Sequence, residues 1–211
     1  MTKLYALDLR YYENGRWRDL LKDLPPQRRQ KALSCRFDHD KMRISCAGYL
    51  LQKALEQAGI PAEEQLFAEN PWGKPYLVNH KQIHFSLSHS GIWAACAVSD
   101  EDVGVDVELP RCRMAVANRF FRPEELEGLE NLDRYRQADS LNRLWTAKEA
   151  FLKMLGKGLT LPLDSFTVHL GETLSLEQSY TTRPYRLHEY RQGLYRICLC
   201  CTGPHPEIEM L

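Results

Sequence analysis

An order of secondary-structure elements that occurs twice constrains the fold most: a long amphipathic helix followed by several short strands. In the first half, apolar residues at positions 47, 50, 51, 54, 55 and 58 fall on one face of a helix. Asp38 is a suitable N-cap for this helix, and Gly59 ends it. A second helical stretch covers residues 138–155 and ends at Gly156. Each helix has an apolar face that must be buried, so the pattern predicts a layered fold.

Strand periodicity follows each helical stretch. Residues 83–88 alternate between apolar and polar, residues 93–98 form an almost wholly apolar run, and residues 103–108 alternate again. Turn residues separate these segments, which predicts consecutive antiparallel strands. Further strand-like segments are residues 4–9, 166–170, 174–176, 185–190 and 195–201. The mixture predicts an α+β fold, and a duplicated lobe is one explanation of the repeated order, although the halves share no extended sequence identity.

Composition places the chain among ordinary globular proteins. Of 211 residues, 28 are Lys or Arg and 28 are Asp or Glu, so the net charge is zero. With no RNA-binding or helix-turn-helix signature, we do not expect nucleic acid as a partner. No stretch approaches the ~18 consecutive apolar residues of a membrane span. The first residues also lack the apolar run of a signal peptide, so we expect no membrane association and a cytoplasmic location.

The cysteines predict neither disulfides nor a structural zinc site. They are Cys35, Cys46, Cys96, Cys112, Cys198, Cys200 and Cys201. Their number is odd, most of them lie inside apolar segments, and no C-x-x-C pair occurs. Free cysteine behaves as a small hydrophobic residue, so we expect buried thiols.

Two carboxylates alternate with valines in the segment G-V-D-V-E. On a strand, Asp106 and Glu108 point to the same face, with their Cα atoms roughly 6.5 Å apart. The valines at positions 103, 105 and 107 point to the other face. Two carboxylates at this spacing can bind one hard cation, and without Cys or His beside them they favour Mg²⁺ or Mn²⁺. The alternative is a half-exposed strand whose polar residues face water.

The second helix contains the sequence W-T-A-K-E-A-F-L-K. Its apolar face consists of Leu141, Leu144, Trp145, Leu152 and Leu155, together with the aliphatic stem of Lys148. Glu149 lies at the edge of that face, one turn before Lys153. A Glu and a Lys four residues apart are typical of a solvated helix. A carboxylate beside two lysines also suits a site that binds a metal ion and phosphate groups.

A histidine and a basic run provide candidate anion contacts. His89, at the end of a strand, could donate a hydrogen bond to an anion, act as a general base, or contact water. Gly73 and Pro75 flank Lys74 and would let a ligand approach it closely. A short helix that opens after Pro25 begins a basic run of Arg28, Arg29, Lys31, Arg36, Lys41 and Arg43. The run suits a phosphate-bearing ligand or a solvated face, and neither a P-loop nor a G-x-S-x-G elbow occurs.

Five motifs in this order resemble the Sfp-type 4'-phosphopantetheinyl transferases. They are G-K-P (73–75), F-S-L-S-H-S (85–90), G-V-D-V-E (104–108), W-T-A-K-E-A-F-L-K (145–153) and G-K-G-L-T-L-P-L-D-S-F (156–166), and the basic helix near 28–43 is similar to the family's N-terminal part. The resemblance implies two similar α+β lobes related by a pseudo-twofold axis, residues 1–105 and 106–211. Each lobe would be an antiparallel sheet packed on a long helix, with the active site between the lobes.

The resemblance also implies a reaction and its partners. The family transfers the 4'-phosphopantetheine arm of coenzyme A to a serine of an apo acyl or peptidyl carrier protein and releases adenosine 3',5'-bisphosphate, the activity of a holo-[acyl-carrier-protein] synthase. Mg²⁺, or Mn²⁺ in its place, would be the cofactor, and a monomer would suffice because both lobes lie in one chain. One alternative is a noncatalytic module that binds coenzyme A or a carrier protein. Another, outside the family, is a Mg²⁺-dependent phosphodiesterase or nuclease.

The family's functional residues carry over to this sequence in three sets. The metal ligands would be Asp106, Glu108 and Glu149, and Val107 offers no further ligand between the first two. The catalytic residues would be Asp106, Glu149, Lys153 and His89, with Lys153 and His89 on phosphate oxygens and Glu149 accepting the serine proton. Arg28, Lys31 and Arg43 would contact the 3'-phosphate, Lys74, Pro75 and Ser88 would line the nucleotide pocket, and Lys148 would be either a phosphate contact or a packing stem. Which of Arg28, Arg29 and Lys31 touches phosphate is left open.

Residues 111–122 interleave arginines with apolar side chains. The arginines are Arg111, Arg113, Arg119 and Arg122, and the apolar residues include Met114, Phe120 and Phe121. Such a segment could dock an acidic carrier-protein helix, with the charges steering the encounter and the apolar side chains anchoring it. The alternative is a connecting segment whose aromatic residues pack inward.

Overall fold

The computed structural model describes residues 1–211, apart from the side chain of residue 159. The first half contains β1 (Lys3–Asp8), α1 (Trp17–Leu20), α2 (Pro26–Leu33), α3 (Asp38–Gln57), β2 (Phe67–Glu69), β3 (Pro75–Leu77), β4 (His84–Ser90), β5 (Trp93–Ser99) and β6 (Gly104–Glu108). The second half contains α4 (Met114–Phe120), α5 (Pro123–Leu126), α6 (Arg134–Leu155), β7 (Thr167–His169), β8 (Ser175–Glu177), β9 (Arg186–Gln192), β10 (Tyr195–Cys201) and β11 (Ile208–Met210). The α+β class is confirmed.

The two long helices occur where the periodicity predicts them, with differences at their N-termini. Asp38 is the first residue of α3, and Phe37 is its N-cap, so the predicted cap was one residue too late. Helix α6 begins at Arg134, four residues before the predicted start, because the Asp133 carboxylate accepts hydrogen bonds from the first free backbone amides. Gly156 ends α6 in the left-handed conformation, with φ of 67°.

Two main sheets form the centre of the molecule. In the first, the strand order is β11-β1-β5-β4, with β1 antiparallel to β5 and parallel to β11. In the second, the order is β6-β10-β9, and neighbours are antiparallel. The hairpins β2-β3 and β7-β8 are separate small sheets. The prediction that β4, β5 and β6 pair consecutively is wrong for β6, which crosses to the second sheet and pairs with β10 along its whole length.

The core consists of three clusters of buried side chains. Helix α3 packs on one face of the first sheet, and α6 packs on β6 and β10 of the second. A third cluster fills the space between the sheets and includes Leu4, Ala6, Val103, Val105, Val107, Ile197 and Leu199. The predicted valine face of β6 is therefore buried between the sheets, which leaves its carboxylates on the opposite side.

Each long helix thus packs on its own sheet, as the predicted lobes require, but two features cross the expected division. A boundary between residues 105 and 106 would cut β6, whose residues 104–108 all pair with β10. The last strand, β11, returns to pair with β1 in the first sheet. The pseudo-twofold relation and the division into lobes stay predictions.

Two expectations from the sequence concern the cysteines and membrane-spanning helices. All seven cysteines are free thiols in the part of the chain that the structure describes, and five of them are buried. Of the helices formed by the described residues, none combines the length and the apolar character that crossing a bilayer requires.

Candidate active site

A cleft of about 590 Å³ lies between the two halves of the molecule. Most of the predicted site residues line it. From the first half these are Arg28, Lys31, Lys74, Pro75, Ser88 and His89, and from β6 and α6 they are Asp106, Glu108, Glu149 and Lys153. The lining also contains residues that the sequence interpretation missed, among them Trp72, Trp145, Leu152 and Gly158. Motifs far apart in the sequence therefore meet around one cavity.

Serines of β4 hold the carboxylates of β6. The Ser88 hydroxyl donates to Asp106 Oδ1 at 2.7 Å, and the Ser90 hydroxyl donates to Glu108 Oε2 at 2.7 Å. Asp106 is only 3% exposed. One step along, the Val105 amide donates to Ser86 Oγ at 3.0 Å, so three alternate serines join the two sheets where their strands are not paired. Alternation of serines along β4 was the sequence signal for this arrangement, and the roles of Ser86 and Ser90 were missed.

Helix α6 adds a carboxylate and an ammonium near these side chains. Lys153 Nζ donates to Asp106 Oδ1 at 2.7 Å and to Ser88 Oγ at 2.9 Å. Burial and the nearby charges of Asp106 and Glu108 raise the pKa of Glu149, while Lys153 opposes that rise. Burial, with a smaller contribution from Asp106, also raises the pKa of Glu108. Burial is thus the main cause of both shifts, and repulsion between the neighbouring carboxylates adds to it.

The chemistry of these oxygens suits a hard divalent cation. Asp106 Oδ2 is buried and has no hydrogen-bond partner among the described residues. Such an atom is costly unless a cation or a donor satisfies it. As the side chains stand, no three His, Cys, Asp or Glu groups within the described part of the chain converge closely enough to hold a metal ion. Glu108 and Glu149 would therefore have to turn toward Asp106 to share one.

Basic residues of α2 also line the cleft. The Arg28 guanidinium lies over the Phe67 ring, 5.0 Å from its centroid, and its Nη2 is buried without a partner among the described residues. Lys31 lines the cleft beside it, whereas Arg29 turns away and donates to the carbonyls of Lys22 and Leu24. The structure therefore selects Arg28 and Lys31, not Arg29, as candidate anion contacts.

Arg43 is not among the residues that line the cleft. Its Nη1 donates to Asp40 Oδ1 at 3.2 Å, and Asp40 lies about one turn earlier in α3. His89 lines the cleft and is exposed. The crowding of the cleft walls lowers the pKa of His89, and the positive charges of Lys153 and Arg43 add to this. The charged form of the imidazole is therefore disfavoured, and Arg43 is near enough to contribute to this effect.

Lys148 does not reach the cleft. Its side chain is fully buried, and Nζ donates to Leu163 O at 2.7 Å and to Phe166 O at 2.9 Å. The ammonium also lies 2.6 Å from Glu125 Oε1. The interpretation of Lys148 as a phosphate contact is wrong, because helix rotation turns it into the core beneath α6 while Glu149, the next residue, faces the cleft.

Lys74 lines the cleft with its stem, but its ammonium is directed elsewhere. Nζ donates to Val103 O at 3.2 Å and to Met154 O at 3.1 Å. Burial lowers the pKa of Lys74 to about 8, and Asp102 opposes this. The ammonium thus contacts main-chain carbonyls of β6 and α6 rather than open cavity.

Comparison with known proteins adds sequence relatives to this geometry. The family model described as the 4'-phosphopantetheinyl transferase superfamily matches residues 102–200. The 4'-phosphopantetheinyl transferase psf-1 of Bacillus pumilus is 34% identical over 215 residues, covering 96% of this chain and 91% of the relative. A 4'-phosphopantetheinyl transferase of Bacillus subtilis is 33% identical over 183 residues, covering 84% of this chain and 82% of the relative.

The chain is also similar to a further sequence relative and to a solved structure. The 4'-phosphopantetheinyl transferase Sfp of Bacillus subtilis (strain 168) is 30% identical over 198 residues, covering 91% of this chain and 87% of its own. The crystal structure of Thermotoga maritima holo-[acyl-carrier-protein] synthase matches 47% of this chain and 61% of its own, with a TM-score of 0.40 and 19% identity. On the three sequence relatives, which align over most of both chains, this protein belongs to the 4'-phosphopantetheinyl transferase superfamily, among its Sfp-type members.

Proposed function

We propose that the protein transfers the 4'-phosphopantetheine arm of coenzyme A to a serine hydroxyl of an acyl or peptidyl carrier protein and releases adenosine 3',5'-bisphosphate. One observation carries the proposal: Asp106, Glu149 and Lys153 line the same cleft as the basic residues Arg28 and Lys31. Such a cleft offers separate groups for the pyrophosphate and for the 3'-phosphate of one nucleotide. One chain supplies both sides of the cleft, so we propose that it acts as a monomer. We also propose a cytoplasmic location.

Asp106, Glu108 and Glu149 would hold the divalent cation. The buried, unpartnered Asp106 Oδ2 and the raised pKa values of the two glutamates support this assignment. When bound, Mg²⁺ or Mn²⁺ would neutralise negative charge on the pyrophosphate. Val107 points into the core between the sheets and provides no ligand.

The side chains around the carboxylates would carry out binding and proton transfer. Lys153 and His89 would contact phosphate oxygens and stabilise the charge that develops there. The serine Oγ of the carrier forms a bond to the pantetheine phosphorus, and the bond from that phosphorus to the leaving adenosine bisphosphate breaks. Glu149 would accept the serine proton, directly or through a water, on a carboxylate oxygen that the cation leaves free.

The nucleotide would be bound by residues of α2, β3 and β4. Arg28, with its buried free Nη2, and Lys31 would contact the 3'-phosphate. Pro75 and Ser88 would line the nucleotide pocket, in which the Ser88 hydroxyl also holds Asp106. Arg43 would contact the same phosphate only if its side chain turned from Asp40 toward the cleft.

Residues 111–122 would dock the carrier protein. Arg111, Arg113, Val116, Arg119 and Phe120 are exposed on or beside α4, so basic and apolar groups share one surface. Phe121 instead is 4% exposed and packs against Trp145, with ring centroids 6.0 Å apart. Phe121 therefore packs inward, as the second alternative expects, and Phe120 is available for the proposed docking.

This division gives a prediction with an internal control. Phe120→Ser should raise the KM for the carrier protein with little change in the midpoint of thermal unfolding, because the ring is 40% exposed. Phe121→Ser should lower the free energy of unfolding by about 3 kcal/mol or more, as expected for truncation of a buried aromatic ring. Carrier-dependent kinetics and thermal unfolding measured on both variants would test this. Equal effects of the two substitutions on stability would contradict the assignment.

Intact-mass spectrometry of an apo carrier protein tests the proposed function. The carrier is incubated with this protein, coenzyme A and Mg²⁺, with and without excess chelator. We expect a mass gain equal to one phosphopantetheine arm, which the chelator abolishes. Coenzyme A binding without any mass gain would favour the noncatalytic binding module. Release of adenosine bisphosphate without a carrier would favour a phosphodiesterase.

A further inference from the structure

The turn between β2 and β3 contacts the C-terminal end of α6. Asn70 organises this turn, because its Oδ1 accepts hydrogen bonds from the backbone amides of Trp72 and Lys74, both at 2.9 Å. The Asn70 Nδ2 donates to Gly156 O at 2.8 Å. Gly156 is the residue that ends α6, so a side chain from the first half satisfies a carbonyl at the end of the helix that carries Glu149 and Lys153.

The lysine of the same turn joins α6 to β6. Lys74 Nζ donates to Met154 O, next to Lys153 in the last turn of α6, and to Val103 O, immediately before β6. An ammonium at a helix C-terminus interacts favourably with the free carbonyls there. One half-buried side chain therefore connects the main chains that carry the two groups of site carboxylates, Asp106 with Glu108 and Glu149.

The backbones of α6 and β6 pack closely, which leaves little room for a change in the distance between them. A Cβ added to Gly104, the first residue of β6, would lie 1.9 Å from Ala150 O and 2.4 Å from Met154 N. Helix α6 therefore lies directly on the β6 backbone at this point. Lys153 Nζ lies 2.7 Å from Asp106 Oδ1, so a shift of the helix end would change this contact directly.

We propose that Asn70 and Lys74 form a clasp that positions the C-terminal end of α6 against β6 and so sets Glu149 and Lys153 opposite Asp106. Both are positioning residues in this assignment, which rests on the proposed transferase function. The assignment changes the role expected for Lys74 from the sequence, where it lines the nucleotide pocket. A nucleotide contact would act mainly on coenzyme A affinity, whereas a clasp acts mainly on turnover.

The variants Asn70→Asp and Lys74→Met separate these roles. Asn70→Asp keeps an oxygen for the two turn amides and removes the donor to Gly156 O, and Asn70 does not line the main cleft. Lys74→Met keeps an unbranched stem and removes the ammonium. We expect kcat for carrier modification to fall about tenfold or more in each variant. The coenzyme A KM, and its Kd from calorimetry, should stay within about threefold.

Matched controls come from the connection between β3 and β4. Asn79→Asp and Lys81→Met make the same chemical changes at exposed positions of that segment, and both variants should retain wild-type kinetics. The double variant Asn70→Asp/Lys74→Met should lose less than the product of the single losses, because both side chains act on one helix end. Thermal unfolding of every variant identifies any that fail to fold. If Lys74→Met fails to fold, the kinetics of Asn70→Asp decide between the two roles.

Amide hydrogen exchange gives a readout that does not depend on the reaction. Residues 150–156 of α6 and residues 103–106 should exchange faster in Asn70→Asp than in wild type, while residues of α3 should not change. Absence of transfer by the wild type would overturn the proposed function, but faster exchange would still support the clasp. A tenfold rise in coenzyme A Kd at unchanged kcat would overturn the clasp, as would unchanged exchange with unchanged kcat.

Discussion

Replacing Asp106 by Asn, or Glu149 by Gln, is expected to lower kcat for phosphopantetheine transfer by about a thousandfold, while both proteins stay folded. Asp106 accepts hydrogen bonds from Ser88 and Lys153 and leaves Oδ2 free for a cation. An amide at this position keeps the size of the side chain but removes the charge that would bind Mg²⁺. Glu149→Gln removes in addition the group that accepts the serine proton.

Steady-state kinetics at saturating coenzyme A and carrier protein measure this effect, and circular dichroism checks the fold. Glu172→Gln is a matched control, because Glu172 is an exposed carboxylate outside the cleft. It should keep wild-type turnover. An Asp106→Asn variant with turnover within tenfold of wild type would refute the shared-cation assignment. Loss of Mg²⁺-dependent stabilisation in a thermal shift experiment should accompany the loss of turnover.

The second large effect concerns stability: Glu125→Ala should lower the free energy of unfolding by about 3 to 5 kcal/mol. Glu125 and Lys148 are both fully buried in side-chain terms, 2.6 Å apart. The Glu125 carboxylate also accepts from the amides of Val168, at 2.7 Å, and Arg122, at 2.8 Å. Truncation would leave the Lys148 ammonium buried without its counterion and two backbone donors without an acceptor. Burial already lowers the pKa of Lys148, and Glu125 opposes that effect.

Urea unfolding measures the change in the free energy of unfolding, with the same m-value expected for both proteins. Glu130→Ala is the control, because Glu130 is an exposed glutamate five residues away and should change stability by less than about 0.5 kcal/mol. Lys148→Met tests the functional side of the same pair. In folded protein it should leave the KM for coenzyme A unchanged, since Nζ contacts Leu163 O, Phe166 O and Glu125 rather than the cleft. A tenfold rise in that KM would restore Lys148 as a ligand contact.

The sequence predicted those features that depend on local periodicity. A strand alternates its side chains, so G-V-D-V-E was enough to place Asp106 and Glu108 on one face and the valines in the core. Helical periodicity likewise predicted α3 and α6 to within a few residues. The order of the motifs was enough to identify the family, which the relatives confirmed.

Tertiary structure decided what long side chains contact. Lys148 and Lys153 lie on one helix with similar sequence surroundings, yet one ammonium is buried against Glu125 and the other meets Asp106. Phe120 and Phe121 are adjacent, yet one is exposed and the other buried. These outcomes depend on which distant segment covers each face, and a lysine stem can reach in several directions.

The same reason explains the strand pairing and the clasp. Local alternation predicts a strand at β6 but contains no information on its partner, so its pairing with β10, about ninety residues away, became visible only in the fold. Asn70 carried no recognisable signal, because its importance comes from Gly156 O, which the fold brings within 2.8 Å. For this protein, the sequence determined most of the elements and the family, because these depend on local periodicity and on the order of motifs. The packing of distant segments determined which residues face the cleft and which residues contact one another across it.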